Sequence, residues 1–242
     1  MNDMTNMTTQ SFYQFSGVDV DSLTSSEYTL VNIAVDMSGS VSGFNAALIK
    51  SIQTIIKTCK KSSRAENLMV RLITFNSNIY EEHGFKTLAL INDNDYQQIK
   101  SPTGLTCLYD ACLNSIEAVE TYGRTLTEQE FLVNGVLYII TDGENTTGKH
   151  SMSEVEKRFK EYKLTESLES LQTFLIGINI NNPDMKHYLE TLNTTVGFDQ
   201  FIDVDNASVD TLAKLANFVS KSISLQSQAL GTGAASQALP SF

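Results

Sequence analysis

Two largely apolar runs, Leu30-Val31-Asn32-Ile33-Ala34-Val35 and Val136-Leu137-Tyr138-Ile139-Ile140, constrain this chain more than any other feature. Both are rich in β-branched residues and neither alternates with polar ones, so each reads as a strand buried on both faces. Helices packed on both sides of a sheet bury strands in that way. The remaining pattern agrees. A helix with Phe44, Leu48, Ile52, Ile55 and Cys59 on one face follows the first run, and Leu68 to Phe75 reads as a second strand. Helical spacing of Leu108, Cys112, Ile116 and Val119 comes before the second run. Beyond it lie a capping-box signature, Ser151-Met152-Ser153-Glu154, a strand at Thr173 to Ile180 and a helix opened by Pro183. A short strand at Gln200 to Val204 and a helix through Val209, Leu212, Leu215, Phe218, Val219 and Ile223 complete the alternation. The expected fold is a doubly wound α/β domain, with the two apolar runs side by side at the sheet centre. Gly84 divides the stretch Asn78 to Ile91, which reads as a hairpin or an antiparallel edge strand.

Each apolar run ends in hard oxygen donors. Asp36-Met37-Ser38-Gly39-Ser40 follows the first run directly, and its three oxygen-bearing side chains, two residues apart, project to one side of an extended backbone. Thr141-Asp142-Gly143 follows the second run, and the loop Pro102-Thr103-Gly104-Leu105-Thr106 lies between them. In open α/β sheets ligands bind outside the carboxyl ends of strands, which is where all three segments fall. Carboxylate and hydroxyl oxygens suit Mg²⁺ or Mn²⁺. The competing reading of Asp36 and Ser38 is that they cap the helix beginning near Gly43.

These residues resemble the von Willebrand factor type A (vWA) domains. Their metal-ion-dependent adhesion site combines an Asp-x-Ser-x-Ser loop, a Thr on a second loop and an Asp at the end of a later strand. The resemblance implies Asp36, Ser38, Ser40, Thr106 and Asp142 as metal ligands, with Thr103 a nearby competitor for Thr106. It covers roughly residues 27 to 225, and it implies a mostly parallel sheet with one antiparallel edge strand. It also implies a Mg²⁺ (or Mn²⁺) cofactor and a protein partner that completes the metal shell with an Asp or Glu carboxylate. The implied role is that of an adaptor or assembly subunit without catalytic activity, similar to the small intracellular vWA proteins of bacteria. Residues 1–26 then form an amino-terminal arm, 27–225 the domain, and 226–242 a flexible carboxy-terminal tail of Ser, Gln, Ala, Gly and Leu. Leu230, Leu239 and Phe242 are spaced apolar anchors in that tail.

Composition narrows the partners. The chain has 242 residues, 17 of them basic and 28 acidic, for a net charge of −11. Lys57, Lys60, Lys61 and Arg64 gather only at one helix end, where cations complement the dipole, so nucleic acid and anionic membranes are not expected partners. Residues 1–25 hold no apolar stretch of signal-peptide length, no segment approaches transmembrane length, and Cys59, Cys107 and Cys112 fit no metal spacing. Buried thiols in a reducing cytosol follow as the expected setting.

Two enzyme readings stay open beside the binding module. Gly143 to Lys149 fits the phosphate-cradling Gly-x₄-Gly-Lys pattern, but His150 stands where a Ser or Thr should bind Mg²⁺. Asp36 as a phosphatase nucleophile would resemble the haloacid dehalogenase family, which wants a second Asp where this chain has Ser38. His83, His150 and His187 show no triad or zinc spacing. A third reading is a scaffold that binds partners through its termini.

Overall fold

The computed structural model describes residues 4–96, 99–165, 167–180 and 182–232, with backbone alone at 93–94 and 231–232. The strands are β1 (Met4–Thr8), β2 (Gln14–Val18), β3 (Glu27–Asp36), β4 (Leu68–Phe75), β5 (Ile79–Thr87), β6 (Leu132–Thr141), β7 (Ser170–Ile178) and β8 (Gln200–Val204). The helices are α1 (Asn45–Cys59), α2 (Leu108–Thr127), α3 (Met152–Lys163), α4 (Pro183–Val196) and α5 (Val209–Thr232). One sheet holds all eight strands in the order β1-β2-β5-β4-β3-β6-β7-β8. From β4 through β8 neighbours run parallel, β5 is antiparallel to β4, and β1 is antiparallel to β2.

The two apolar runs are adjacent, as expected, with Val31 opposite Val136 and Val35 opposite Ile140. Alternate side chains feed two different layers. Val31, Ile33, Val35, Val136, Tyr138 and Ile140 pack with α1 and α5, whereas Ala34, Leu137 and Ile139 meet α2 and α3 on the other face. Local signals set the helix ends. Ser151 and Glu154 form the reciprocal capping box, the Asn182 side chain accepts from the Asp184 N–H, and Gly197 ends α4 in the left-handed conformation at φ 82°.

Three expectations need correction. Residues 78–91 form no hairpin: β5 is one antiparallel strand that passes straight through Gly84. Nor is β5 the sheet edge, because the amino-terminal arm folds into the β1–β2 hairpin and extends the sheet beyond it, Gly17 pairing with Phe85. Gly84 is there for close approach. A Cβ at that position would overlap the Ser16 carbonyl of the crossing strand. The third concerns the tail expected from 226, because α5 continues to Thr232 with Gln226, Ser227, Ala229 and Leu230 buried. Asn134 donates to the Gln226 backbone carbonyl (2.8 Å) and Arg64 to the Ser227 hydroxyl (3.3 Å), so this segment is tied into the fold. Residues 233–242, including Leu239 and Phe242, lie outside the described residues.

The hairpin is held by a polar seam. Arg71, fully buried in β4, donates from Nε to Glu81 (2.7 Å) and from Nη1 to the Asn32 and Asn114 side-chain carbonyls (2.9 Å each). The other Glu81 oxygen accepts from the Ser16 N–H (2.9 Å) and hydroxyl (2.7 Å). Phe15 lies under the Arg71 guanidinium at 5.7 Å, and Tyr122 donates to the Val18 carbonyl (2.7 Å). Among the described residues no helix is long and apolar enough to cross a membrane.

Candidate metal centre

Because β3 and β6 are parallel neighbours, their C-terminal loops open side by side at the same edge of the sheet. Asp36 closes β3, and its carboxylate is fully buried. Oδ1 accepts from the Ser38 N–H at 2.8 Å and Oδ2 from the Thr141 hydroxyl at 2.6 Å. The Ser38 and Ser40 hydroxyls lie 3.0 Å apart, and Ser40 donates to Asp142 Oδ1 at 2.8 Å. Asp36, Ser38, Ser40 and Asp142 thus form one continuous polar cluster across two loops.

The third loop is laid against the first by backbone bonds. Thr103 N–H donates to the Met37 carbonyl (3.1 Å) and Gly39 N–H to the Gly104 carbonyl (3.2 Å), while Met37 N–H reaches Phe75 at the end of β4 (2.7 Å). Gly104 sits at φ 77°, a conformation glycine adopts without strain. Thr106 is buried and tied through its backbone to the β6 loop: its carbonyl accepts from Thr146 (2.9 Å) and Thr147 (3.2 Å) and its N–H donates to the Thr146 hydroxyl (2.9 Å). It makes no hydrogen bond to the other four residues. Thr103, its competitor, is exposed.

Capping does not account for the cluster. Ser38 precedes only a short 3₁₀ turn and makes no side-chain cap bond there, and the N-cap of α1 is Phe44. Electrostatics point elsewhere. Burial pushes the Asp36 carboxyl up to about 6 against the hydrogen bonds from Thr141 and Ser38, with Asp142 adding repulsion. Asp142 is likewise raised, chiefly by burial. Among the described residues neither carboxylate has a Lys or Arg partner. Nor does any group of three or more His, Cys, Asp or Glu gather to hold a metal among those residues. Two carboxylates with surrounding hydroxyls are therefore a hard, oxygen-only donor set lacking positive charge, which fits a divalent cation bound through oxygen.

Most amides of the loop 143–150 are already bonded within the fold. Gly143 N–H points to the Thr141 hydroxyl (3.2 Å), Asn145 N–H to the Tyr188 hydroxyl (3.1 Å), and those of Thr146 and Thr147 to Thr106. Lys149 and His150 N–H groups both end on the Asp110 carboxylate at 3.0 and 3.1 Å. A phosphate cradle needs such donors free and converging. Asp110 and Thr141 are the residues sequence reasoning missed. Thr141 was in view beside Asp142, but nothing local to Asp110 signals that it anchors a loop 39 residues away.

The sequence profile of the von Willebrand factor type A domain family matches residues 31–218. A comparison with curated proteins found no match. Among solved structures, the PilB minor pilin from Streptococcus sanguinis superposes with a TM-score of 0.56 at 15% identity, over 88% of this chain and 64% of its own. A von Willebrand factor type A protein from Catenulispora acidiphila gives 0.57 at 12% identity, over 93% of this chain and 50% of its own. The proximal thread matrix protein 1 from the mussel byssus, with a zinc-occupied MIDAS motif, gives 0.55 at 16% identity, over 81% of this chain and 46% of its own. At these identities the likeness is one of fold, and this chain spans less than two thirds of each of the three. With the profile covering most of its length and the sheet order in place, the chain belongs to the von Willebrand factor type A domain family.

Proposed function

We propose that this protein is a divalent-cation-dependent protein-binding module whose ion is held by Asp36, Ser38, Ser40, Thr106 and Asp142, some of them through water. The observation that carries the reading is the Asp36–Ser38–Ser40–Asp142 cluster, with its two carboxylates and no paired cation among the described residues. Mg²⁺ or Mn²⁺ supplies an electrophilic centre when bound, and two formal negative charges just balance it. The chain's own residues do the rest. Asp36 and Asp142 supply the charge, the hydroxyls are neutral donors, and Thr141 and the Ser38 N–H hold Asp36 in place. Neutral donors keep the ion attractive to an Asp or Glu from a protein partner, even on a chain of net charge −11.

The proposed role is binding, as an adaptor or assembly subunit, and not catalysis. A cytoplasmic setting is supported by three free cysteines, all buried. The mussel protein's zinc-occupied motif makes Zn²⁺ the control ion to titrate beside Mg²⁺ and Mn²⁺. Calorimetric titration with Mn²⁺ is expected to show one site in the wild type and none in Asp36→Ala, with unchanged circular dichroism. A partner captured from lysate is expected to leave in EDTA and return with Mg²⁺ or Mn²⁺. Equal Mn²⁺ affinity in wild type and Asp36→Ala overturns the site. A partner that holds equally well in EDTA overturns the metal's role in binding.

A further inference from the structure

The two edges of the sheet are built differently. At one edge, among the described residues, β8 pairs only with β7, and it is bordered by charge: Asp203 is joined to Lys186 at 2.5 Å, and Asp199 and Asp205 flank the strand. At the other edge, among the described residues, β1 pairs only with β2. It has no proline, its register with β2 runs without a bulge from Met4–Val18 to Thr8–Gln14, and residues 4–18 include no Asp, Glu, Lys, Arg or His. Edge strands ordinarily carry such guards against pairing with another chain.

The register shows which backbone groups of β1 remain available. At the turn, Thr9 N–H donates to the Tyr13 carbonyl (2.8 Å) and Tyr13 N–H returns to the Thr9 hydroxyl (3.0 Å), so Thr9 and Tyr13 face each other in the hydrogen-bonding position. Antiparallel pairs alternate, so Met7–Phe15 and Thr5–Gly17 are the next bonded pairs, and Thr8–Gln14, Asn6–Ser16 and Met4–Val18 are not. An independent contact agrees: the Ser16 N–H turns away from β1, to the Glu81 carboxylate at 2.9 Å. Met4, Asn6 and Thr8 therefore aim their N–H and C=O groups out from the sheet. Among the described residues, which begin at Met4, these three are spaced symmetrically about Asn6.

We propose that the β1 edge pairs with β1 of a second copy of this chain, antiparallel, with a two-fold axis at Asn6. Asn6 then faces Asn6 of the other copy, and Met4 faces Thr8 on either side. The six outward groups of each strand are all paired. A symmetric triad needs no separate partner sequence to match its register, which is the self-complementarity of a two-fold interface. The absence of charge matters equally, because two chains of net charge −11 repel along most of their surfaces and this neutral hairpin is where they can approach. A five-residue strand pair is small, so the association is weak, on the order of 100 µM.

Sedimentation equilibrium of the full chain in EDTA, up to about 1 mM, tests the proposal apart from any metal bridge. The wild type is expected to reach a monomer–dimer equilibrium. Asn6→Pro removes an outward N–H without costing the hairpin a bond, so it should weaken dimers tenfold or more while Met7 and Phe15 amides keep their hydrogen-exchange protection. Asn6→Lys and Asn6→Asp each place like charges at the axis and should be monomeric alone, whereas their equimolar mixture should dimerise. A wild type that stays monomeric at about 1 mM, an Asn6→Pro protein that associates as the wild type does, or a mixture of the charged variants that fails to pair would each overturn it.

Discussion

The centre of the sheet and its amino-terminal hairpin belong to one continuous hydrogen-bonded layer, yet they are specified by different physics. β3 and β6 are set mainly by bulk burial: most side chains along them enter an apolar layer, with Asn32 and Asn134 as buried polar exceptions. The β1–β2 hairpin has few buried residues of its own, Phe15 and Val18 among them, and is positioned by Ser16, Glu81, Arg71 and the absence of side chains at Gly17 and Gly84. Burial tolerates substitutions in proportion to volume, whereas a polar seam fails at single atoms.

The largest expected effect is therefore in the seam. Glu81→Ala leaves the fully buried Arg71 guanidinium without its counter-charge and is expected to cost about 3 to 5 kcal/mol in urea unfolding. A loss below about 1 kcal/mol would show that water reaches Arg71 and would collapse the contrast. Next comes the centre, where Ile33→Ala or Ile139→Ala should cost roughly 2 to 5 kcal/mol through lost burial and a residual cavity. If both cost less than Glu81→Ala, the polar seam is the more sensitive of the two. Gly84→Ala forces β2 off β5 and is expected to cost about 1 to 3 kcal/mol. Amide exchange should rise over residues 4–18 and stay unchanged in β3; loss of protection across the whole sheet would mean the hairpin is part of the global core.

The smallest effect is a pH dependence within β5. His83 is buried, with Nδ1 held 3.0 Å from the Gly84 carbonyl, and burial lowers its pKa below the ordinary 6.5. Lys86 also lowers it, while the Gly84 carbonyl, Asp95 and Glu81 oppose the shift. A base whose folded pKa is lowered binds fewer protons than the unfolded chain, so stability declines as pH falls through 6.5 toward the folded value. Melting temperatures from pH 8 to 5 should drop less in His83→Gln than in the wild type. Parallel curves would assign the acid sensitivity to other groups.

This division also explains what was legible in the sequence. The apolar runs, the capping box at Ser151 and the Pro183 helix start all follow local rules, and the structure matches them. Asp36, Ser38, Ser40 and Asp142 were visible because strand ends display their donors at short spacing. The hairpin was hidden because strands such as Met4–Thr8 are half-exposed, neutral and without a buried face to impose alternation. Gly84 reads as a turn when the crossing strand is unknown. Residues 226–232 read as a flexible tail because Ser and Gln signal exposure unless the distant groups that hold the segment, here Asn134 on the Gln226 backbone and Arg64 on Ser227, are known. Asp110 was missed for the same reason, its role being fixed by a distant loop.

The three thiols have a practical consequence. Cys59 lies in the layer between the sheet and α5, while Cys107 and Cys112 lie in the opposite layer, against α2 and α3. Burial pushes Cys59 and Cys107 up to about 12 and Cys112 higher still, so almost no thiolate exists in the native protein near neutral pH. An alkylating reagent then labels only molecules in which one face or the other has opened. Reading the label separately on the peptides carrying Cys59 and Cys107–Cys112 turns the protein into its own two-channel recorder of which side of the sheet breathes first, with no dye, tag or engineered probe.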